Sequence, residues 1–438
     1  MHACEKCGQW QHALALFREM QGTLLSEVTA TTGFVPTVVS FGAAIAAAAC
    51  EEGAGWRRAL LLLRELVGAR MEPDVICYST AIGACQKGGQ WQMAVSLLSA
   101  LQEGKLEPDI VCYNSAIGAC EKGGLWQQAV SLLKECFEVK LQGDVLSYTA
   151  GISACEKGGR WYHALSLLRE LCQVKLGGDV ISYGAAISAC EKGGQWQRAL
   201  MLHEEMREAN LEPDLVCYGA AISACQRGVE WWRALSLVGE LRQATIRPDT
   251  PSYNGGITAC GTGNQWPRAL LLVRELWAVK MEPGVISYNA CISACEQGWQ
   301  WWRALSLFGD LWNATLEPDV ISFSAGIGAC EKGGQWQHAV SLLRELRDVA
   351  MLEPNVISYR AGITARKTSG RWQQTVSMIS GMWDSTLELD CDMLNVATST
   401  SERDGALAVS ALFQKWRFGG TSLARPGACS GSVRDEKK

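Results

Sequence analysis

Aromatic residues recur at a fixed spacing along most of the chain. A tyrosine or phenylalanine stands every 35 residues from Tyr78 to Phe323, and tryptophans keep the same spacing from Trp56 to Trp336. Two residue types therefore report one period. A period of about 20 to 50 residues, sustained over many copies, is typical of a solenoid, in which each repeat buries its apolar face only against its neighbours. The sequence predicts a repeat array rather than separate globular domains.

Each repeat carries the signals of two helices. In the copy from Val180 to Asp214, Asp179 is a suitable N-cap for a first helix. The pair Gly193-Gly194 should stop that helix, because glycine adopts the left-handed C-terminal conformation without penalty. Apolar residues at helical spacing restart at Trp196, which predicts a second helix, and Pro213 closes the repeat because proline cannot continue a helix. This period leaves no room for strands, so the predicted fold is all-α.

The copies define the domain organisation. Residues 1–37 are predicted to be a truncated N-terminal repeat with an enlarged loop, because their first residues match the ACEKGGQW segment from the middle of later copies. Ten repeats occupy residues 38–390, the last of them degenerate, and residues 391–438 are predicted to form a half-repeat cap and a disordered tail. No targeting segment or membrane span is visible. Since the chain begins within a repeat, we expect any targeting segment to lie upstream.

The nineteen cysteines do not predict a disulfide framework. Nine of them, from Cys50 to Cys330, occupy one position of the first helix. Equivalent sites in stacked helices lie about 10 Å apart, which is beyond the reach of a disulfide. We interpret these cysteines as small buried apolar residues, which fits a reducing compartment. No metal-ligand cluster, phosphate loop or nucleophile motif is present in the sequence, so no cofactor, metal site or catalytic residue is predicted.

Two positions of the repeat vary in a way that packing does not explain. The residue after the periodic aromatic residue is Gly, Ser, Asn, Thr or Arg, although it lies in the middle of a predicted helix. The residue that closes each repeat is Asp in most copies and Gly or Asn in the others. Repeated along one edge of a helical stack, such residues would form a line of hydrogen-bonding groups, with one set in each repeat.

The sequence pattern resembles the pentatricopeptide repeat family, with the character of a P-type array, over nearly the whole chain. The resemblance rests on the 35-residue period, the Y-[NST]-x-x-I start, the A-L-x-L-x-x-E-[LM] second helix and the L-E-P-D ending. It implies a right-handed α-solenoid, a superhelix of helical hairpins whose first helices line a groove for single-stranded RNA, with one base read in each repeat. It also implies a chloroplast or mitochondrial protein that acts in RNA processing, stabilisation, editing or translation without catalytic activity of its own.

The resemblance assigns base reading to the residue after the aromatic residue and to the closing residue. These residues are Ser79, Asp109, Asn114, Asp144, Thr149, Asp179, Asn254, Asn289, Asp319, Ser324 and Asn355. The Ser–Asp and Thr–Asp pairs resemble guanine readers, the Asn–Asp pairs resemble uracil readers, and the Ser–Asn pair resembles an adenine reader. Gly184 and Gly219 offer no side chain, and the pair of Asn254 with Gly284 is incomplete. The implied target is G-U-G-x-x-pyrimidine-U-A.

Two further rows of residues follow from the resemblance. An aliphatic residue two positions before the aromatic residue would pack on the flat face of a base; this row is Ile76, Val111, Leu146, Ile181, Val216, Ile286 and Ile321. A cation near the end of the first helix resembles a phosphate binder; this row is Lys87, Lys122, Lys157, Lys192, Arg227 and Lys332. A solvated helix end favours the same cations through the helix dipole, so both interpretations stay open.

The negative overall charge favours a function other than RNA binding as an alternative. A formal charge of −5 and a pI of 5.7 are unfavourable for nucleic-acid binding unless one face is positive. α-Solenoids also offer large surfaces to proteins, so a protein-interaction scaffold is the alternative, and an enzyme ranks third. The tryptophan pairs Trp231-Trp232 and Trp301-Trp302 could stack on bases. The first tryptophan of each pair is predicted to pack between neighbouring repeats, and both interpretations stay open for the second. Besides RNA, the expected partners are RNA-processing proteins, and neither a membrane nor a small-molecule substrate is expected.

Overall fold

The computed structural model describes residues 11–12, 14–17, 37–51, 55–139, 141, 143–174, 176–244, 246–348 and 356–367. Within these ranges the regular structure is helical and contains no strand. From residue 38 onward the helices are α1 (Val38–Ala49), α2 (Gly55–Gly68), α3 (Val75–Lys87), α4 (Trp91–Glu103), α5 (Ile110–Lys122), α6 (Trp126–Glu138), α7 (Val145–Lys157), α8 (Trp161–Gln173), α9 (Val180–Lys192), α10 (Trp196–Glu208), α11 (Leu215–Gly228), α12 (Trp231–Gln243), α13 (Thr250–Thr262), α14 (Trp266–Ala278), α15 (Val285–Gln297), α16 (Trp301–Asn313), α17 (Val320–Lys332), α18 (Trp336–Asp348) and α19 (Val356–Lys367). Odd-numbered helices are the first helices of the repeats, and even-numbered helices are the second helices.

The chain divides into two compact units, residues 1–259 and residues 260–438. In the N-terminal unit the first helices α1, α3, α5, α7, α9 and α11 pack side by side in that order, and each also packs against the second helix of its own repeat. In the C-terminal unit α15, α17 and α19 also pack side by side in that order, and α15 and α17 pack against α16 and α18, the second helices of their own repeats. The prediction of an all-α array of stacked hairpins is confirmed.

The predicted helix boundaries are also confirmed, and capping explains them. The Asp179 carboxylate accepts a hydrogen bond from the backbone amide of Ser182 at 2.8 Å, and the Ser182 hydroxyl accepts one from the Asp179 amide at 2.9 Å. This capping box satisfies two backbone groups at the start of α9. The helix ends at Lys192, and Gly194 then takes a φ of +69°, which is the left-handed region. Trp196 begins α10 as the apolar spacing predicts.

The first tryptophan of most second helices in the described part of the chain packs on the next repeat. The Trp161 indole lies directly over Gly193, so a Cβ at that position would overlap the ring. Trp126 lies over Gly158 in the same way, and Trp301 lies over Gly333. The predicted packing of these tryptophans between neighbouring repeats is confirmed. The first glycine of the Gly-Gly pair is therefore required by its neighbour and not only by its own turn.

The periodic cysteines are buried, with one exception. The thiols from Cys85 to Cys330 at this position have 0% exposure, and burial raises the pKa of Cys85 to about 11. All described cysteines are free thiols. The expectation of burial is wrong for Cys50, which is exposed because α1 ends at Ala49, one residue before it.

One histidine occupies a core position. His203 in α10 is 2% exposed and lies edge-on to the Tyr218 ring, with 5.0 Å between ring centroids. Other repeats have an apolar residue at this position, such as Leu98, Leu168 and Phe308. Burial lowers the pKa of His203 to about 4, and the positive charge of Arg207 acts in the same direction.

Several sequence predictions lie outside the described residues. These are nearly all of the truncated repeat (1–37), residues 368–390 of the degenerate repeat, the half-repeat cap and tail (391–438), and the reader Asn355. None of the helices in the described part is long and apolar enough to cross a membrane.

Candidate functional site

Four positions of each first helix line up on one side of that helix. In α3 they are occupied by Ile76, Ser79, Gly83 and Lys87, the second, fifth, ninth and thirteenth residues. Eleven residues of α-helix turn through three full turns and about 20°, so Ile76 and Lys87 lie on the same side, with Ser79 and Gly83 between them. We call these four positions of the first helices the ligand face. An aliphatic residue, a polar residue and a cation therefore follow one another along one side of α3, and α5, α7 and α17 carry the same three classes of residue at these positions.

The aliphatic residues of the ligand face are exposed in both compact units. Among the seven residues predicted to pack on bases, Ile286 has the largest exposure, 71%, and Val111 has the smallest, 53%. Leu146, Ile181 and Ile321 lie between these values, although the residues just after them in the helices are buried. Single exposed apolar residues are common and need no explanation. An exposed residue at one position of successive repeats provides a regular row of apolar surface, which is what packing on successive flat rings requires.

The fifth position of α5 belongs to a hydrogen-bond network that joins two repeats. Asn114 Nδ2 donates to Asp144 Oδ1 at 3.1 Å, and Asn114 Oδ1 accepts from the Ser147 hydroxyl. The Ser147 backbone amide donates to the same Asp144 carboxylate at 2.8 Å. The sequence brought Asn114 and Asp144 together as a pair but did not identify Ser147 as the third member. The third position of the first helix, which is either Ser or Cys in the copies, could have pointed to Ser147.

The same network recurs in the C-terminal unit. Asn289 Nδ2 donates to Asp319 Oδ1 at 3.0 Å, and the Ser322 hydroxyl donates to Asn289 Oδ1 at 2.6 Å. Burial by itself raises the pKa of the Asp319 carboxyl, but the hydrogen bonds from Ser322 and Asn289 outweigh it and hold that pKa below its ordinary value. The pKa of Asp144 is lowered for the same reasons. Both carboxylates are therefore ionised at neutral pH and can accept hydrogen bonds from a ligand.

The hydroxyl residues at the fifth position are placed differently. Ser79 Oγ donates to the Ile76 carbonyl at 3.0 Å, and Thr149 Oγ1 donates to the Val145 carbonyl at 2.7 Å. Neither forms a hydrogen bond with its closing residue, Asp109 or Asp179, among the described residues. A hydroxyl that donates to the backbone keeps its acceptor lone pairs for a ligand. The guanine-type pairs are therefore not joined directly in the way that the Asn–Asp pairs are.

The remaining residues predicted to read bases differ from Asn114 in their contacts. Ser324 Oγ donates to the Val320 carbonyl at 2.6 Å and also contacts the Ser358 hydroxyl at 2.9 Å, which lies in the next repeat. Asn254 is half-buried in α13. Gly284 begins α15 without a capping side chain. Within the described part of the chain, Asn254 and Gly284 show no Asn–Asp–Ser network of the kind found around Asn114.

One surface cavity in the N-terminal unit is lined by residues from each of the predicted base-reading, base-packing and phosphate-binding positions. It has a volume of about 320 Å³, and its lining includes Lys192, Val216, Gly219, Asp249 and Ser252. A Cβ at the Gly219 position would meet no atom within 4 Å. The cavity is thus surrounded by a cation, an exposed aliphatic residue, the fifth position of a first helix and a closing carboxylate. The fifth position, Gly219, has free space for a side chain.

Four of the six predicted phosphate-binding cations lie beside carboxylates. Each of four cations forms an ion pair with a glutamate of the preceding repeat; the pairs are Lys157–Glu121 (3.0 Å), Lys192–Glu156 (2.9 Å), Arg227–Glu191 (3.0 Å) and Lys332–Glu296 (3.1 Å). Lys87 instead donates to the Ala49 carbonyl at 3.2 Å, and Lys122 forms no ion pair with a described residue. Sequence reasoning missed the glutamates, whose signal is the Glu that stands just before the cation position, at the twelfth position of the first helix, in most copies.

Comparison with known families decides what kind of chain this is. The model of the pentatricopeptide repeat domain matches residues 61–122, 166–228 and 201–263, and the PPR repeat model matches residues 1–22, 111–139, 146–175 and 286–314. Together these matches cover more than half of the 438 residues. The chain belongs to the pentatricopeptide repeat family. No curated protein matches this pentatricopeptide repeat protein.

Solved structures of pentatricopeptide repeat proteins share the fold. One is PPR10 in complex with an 18-nt psaJ RNA element; it is 20% identical with a TM-score of 0.53, and the match covers 96% of this chain and 64% of that chain. Another is PPR10 from maize, 17% identical with a TM-score of 0.50, with coverage of 95% and 68%. This pentatricopeptide repeat protein therefore spans less than two thirds of the first of these chains.

The paired tryptophans of this pentatricopeptide repeat protein occupy two different environments. Trp301 packs on Gly333 of the next repeat, whereas Trp302 is 52% exposed and stacks with Arg303 at 4.7 Å from ring centroid to guanidinium. Trp232 is 51% exposed and stacks with its own neighbouring arginine. Packing between repeats therefore explains the first tryptophan of a pair but not the second. The described residues contain no group of three or more side chains suited to hold a metal.

Proposed function

We propose that this pentatricopeptide repeat protein binds single-stranded RNA along its ligand face and selects its sequence. The observation that carries the proposal is the joint recurrence of an exposed aliphatic residue and an Asn–Asp–Ser network at fixed positions, as at Val111 with Asn114 and at Ile286 with Asn289. Unstacked bases of single-stranded RNA offer flat rings to pack on and edges with hydrogen-bond donors and acceptors. The structure of PPR10 with an 18-nt RNA supports this choice of ligand.

The network suits a base edge that has both donors and acceptors. The Asn114 amide donates one hydrogen to Asp144 and keeps its second hydrogen, and its carbonyl oxygen keeps one lone pair. Uracil presents one N–H donor between two carbonyl acceptors, so an ordered amide beside a carboxylate can match it. The hydrogen bonds to Asp144 and Ser147 fix the orientation of the amide before any ligand arrives, which lowers the entropic cost of recognition.

The cellular role is the finer part of the proposal. Family membership supports action on transcripts in a chloroplast or mitochondrion, in processing, stabilisation, editing or translation, without catalysis by this chain. The sequence-derived target, G-U-G-x-x-pyrimidine-U-A, stays a prediction, and the adenine at its end depends on Asn355. Recruited RNA-processing proteins would supply any chemistry on the RNA.

Selection from a randomised RNA pool, followed by sequencing, tests this proposal. The wild-type chain should enrich uracil opposite the repeats of Asn114 and Asn289. The variant Asn114→Ser should shift the first of these positions towards guanine and leave the second unchanged. As a control, Ile181→Ala should lower the affinity without changing any base preference, because this side chain contacts only ring faces. A pool that shows no preference at either asparagine position would contradict the proposal.

A protein-interaction scaffold remains a second candidate because of one observation. Trp232 and Trp302 are exposed large aromatic residues on second helices, outside the ligand face. If they bind RNA, Trp302→Ala should weaken RNA binding in the same titration that measures the asparagine variants. If they serve a protein partner, Trp302→Ala should leave RNA affinity unchanged and abolish crosslinking of that partner through a photo-reactive residue at this position.

A further inference from the structure

The ion pairs of the ligand face join the same two helix positions of neighbouring repeats each time. In each of the four pairs, the twelfth residue of one first helix forms an ion pair with the thirteenth residue of the next first helix. The two residues are 36 positions apart in the sequence in all four pairs. The pattern occurs in the N-terminal unit from Glu121 to Arg227 and again in the C-terminal unit. A repeated contact of this kind follows from the stacking of the hairpins and not from one accidental approach.

The two partners of each pair differ in exposure. The glutamate side chains are 14–26% exposed, whereas the cation side chains are 35–50% exposed. Glu191 is the most buried, at 14%, and its partner Arg227 is the most exposed. A partly buried carboxylate is screened by salt less than a fully solvated one. Each glutamate is therefore a fixed negative charge beneath a cation that reaches into solvent.

The first two cations of the row, Lys87 and Lys122, form no ion pair with a described glutamate of the preceding repeat. Lys122 has Gln86 where a glutamate would stand in the preceding repeat, and it forms no ion pair among the described residues. The corresponding Glu51 is bound to Arg58 at 2.8 Å, and Lys87 donates to a backbone carbonyl instead. The row therefore begins with two cations free of described carboxylates and continues with three that are paired.

We propose that the glutamates of the row compete with RNA phosphate, so that the RNA backbone is anchored at Lys87 and Lys122 and held more weakly from Lys157 to Arg227. This inference rests on the proposed RNA binding. A phosphate that approaches a paired cation meets the repulsion of the carboxylate and must share or displace it. A cation neutralised within the protein also contributes less to the release of counterions, which drives phosphate binding.

The consequence is an uneven distribution of affinity and of salt dependence along the chain. For single-stranded nucleic acid, each neutralised phosphate contributes about 0.7 to the slope of log affinity against log salt. Lys87 and Lys122 should each contribute close to that value, and the paired cations should contribute a fraction of it. Base selection over the paired repeats then depends more on the base edge than on the backbone.

A salt series of fluorescence anisotropy titrations with a labelled 16-nt RNA that contains the eight-nucleotide predicted target tests the inference on the full chain. Lys122→Gln should reduce the slope by about 0.7, and the matched variant Lys192→Gln should reduce it by less than half as much. Glu156→Gln, which frees Lys192, should raise the affinity about two- to fivefold, as expected from the strength of exposed ion pairs, and should steepen the slope.

A reciprocal exchange provides the control. Gln86→Glu changes almost no volume and installs a carboxylate opposite Lys122, so it should lower the affinity and flatten the slope. The double variant Glu156→Gln with Lys192→Gln should behave like Lys192→Gln alone, because the freed cation is gone. Circular dichroism of every variant checks that the helices are intact.

The outcomes separate this inference from the proposed function. Equal slope changes for Lys122→Gln and Lys192→Gln, or an unchanged slope for Glu156→Gln, would overturn the competition by glutamates while RNA binding itself stands. If the wild-type chain fails to bind any RNA, the proposed function fails, and the inference fails with it.

Discussion

Gly219→Asn should build a new uracil reader, because its surroundings already hold the other two parts of the network. Asp249 Oδ1 accepts hydrogen bonds from the Ser252 backbone amide at 3.0 Å and from the Ser252 hydroxyl. Asp144 and Ser147 are arranged in the same way around Asn114. A side chain at position 219 has open space, since a Cβ there meets no atom within 4 Å. The introduced amide should therefore take the position of Asn114 without displacing a neighbour.

The size of the effect follows from one net new hydrogen bond, from the introduced amide to Asp249, because the single Ser252 hydroxyl proton can only exchange Asp249 for the new amide oxygen. Each intramolecular bond contributes about 1 kcal/mol net, and replacement of a helical glycine removes part of a penalty of about 0.5–1 kcal/mol. We expect the free energy of unfolding to rise by about 1–2 kcal/mol before any RNA is added. With RNA, one good hydrogen bond to the base edge is worth about 1.4 kcal/mol, which is about a tenfold preference for uracil at this repeat.

Gly184→Asn is the matched control, because the same substitution one repeat earlier meets a different environment. A Cβ at Gly184 would lie 3.0 Å from Cys217 Sγ, so the cysteine would have to shift. Cys217 also stands where Ser252 stands in the next repeat, and a thiol is a weak hydrogen-bond donor. Gly184→Asn should therefore gain neither stability nor a comparable uracil preference.

Urea unfolding followed by circular dichroism measures the first effect, and competition between RNAs that differ only at the base opposite this repeat measures the second. If Gly219→Asn leaves both the unfolding midpoint and the base preference unchanged, the Asn–Asp–Ser network is not what orders the reader. If Gly184→Asn gains as much as Gly219→Asn, the local geometry does not control recognition.

Three further predictions concern stability and reactivity. Burial lowers the pKa of His203 to about 4, so as pH falls from about 6.5 to 4 the unfolded chain binds a proton that the folded chain does not, and up to about 3 kcal/mol of stability is lost. His203→Leu should flatten the loss of unfolding midpoint over this pH range, and an unchanged pH dependence would contradict the burial of a neutral imidazole. Gly193→Ala should displace the Trp161 indole and lower the free energy of unfolding by about 1–3 kcal/mol in urea titrations; an unchanged midpoint would refute that packing. In timed alkylation read by mass spectrometry, exposed Cys172 should react before the buried thiols of the periodic cysteine position, and simultaneous labelling would contradict their burial.

The sequence by itself determined the repeat and its helices. Spacing of the aromatic residues defined the period, and local signals placed the ends of α9 because Asp179 and Gly194 act on backbone groups within a few residues of themselves. The pairing of Asn114 with Asp144 also followed from position within the repeat, through the family resemblance, and the structure brings these two side chains together.

Only the tertiary structure decided which groups meet between repeats. Ser147 as the third member of the Asn114 network, the Trp161 indole over Gly193 and the glutamate beside each paired cation all join residues that are about one period apart. A strict period repeats every residue equally, so sequence spacing alone cannot tell which of many equivalent residues are in contact. The relative rotation and offset of packed helices settle that choice, and these depend on how all the side chains between the helices fit together.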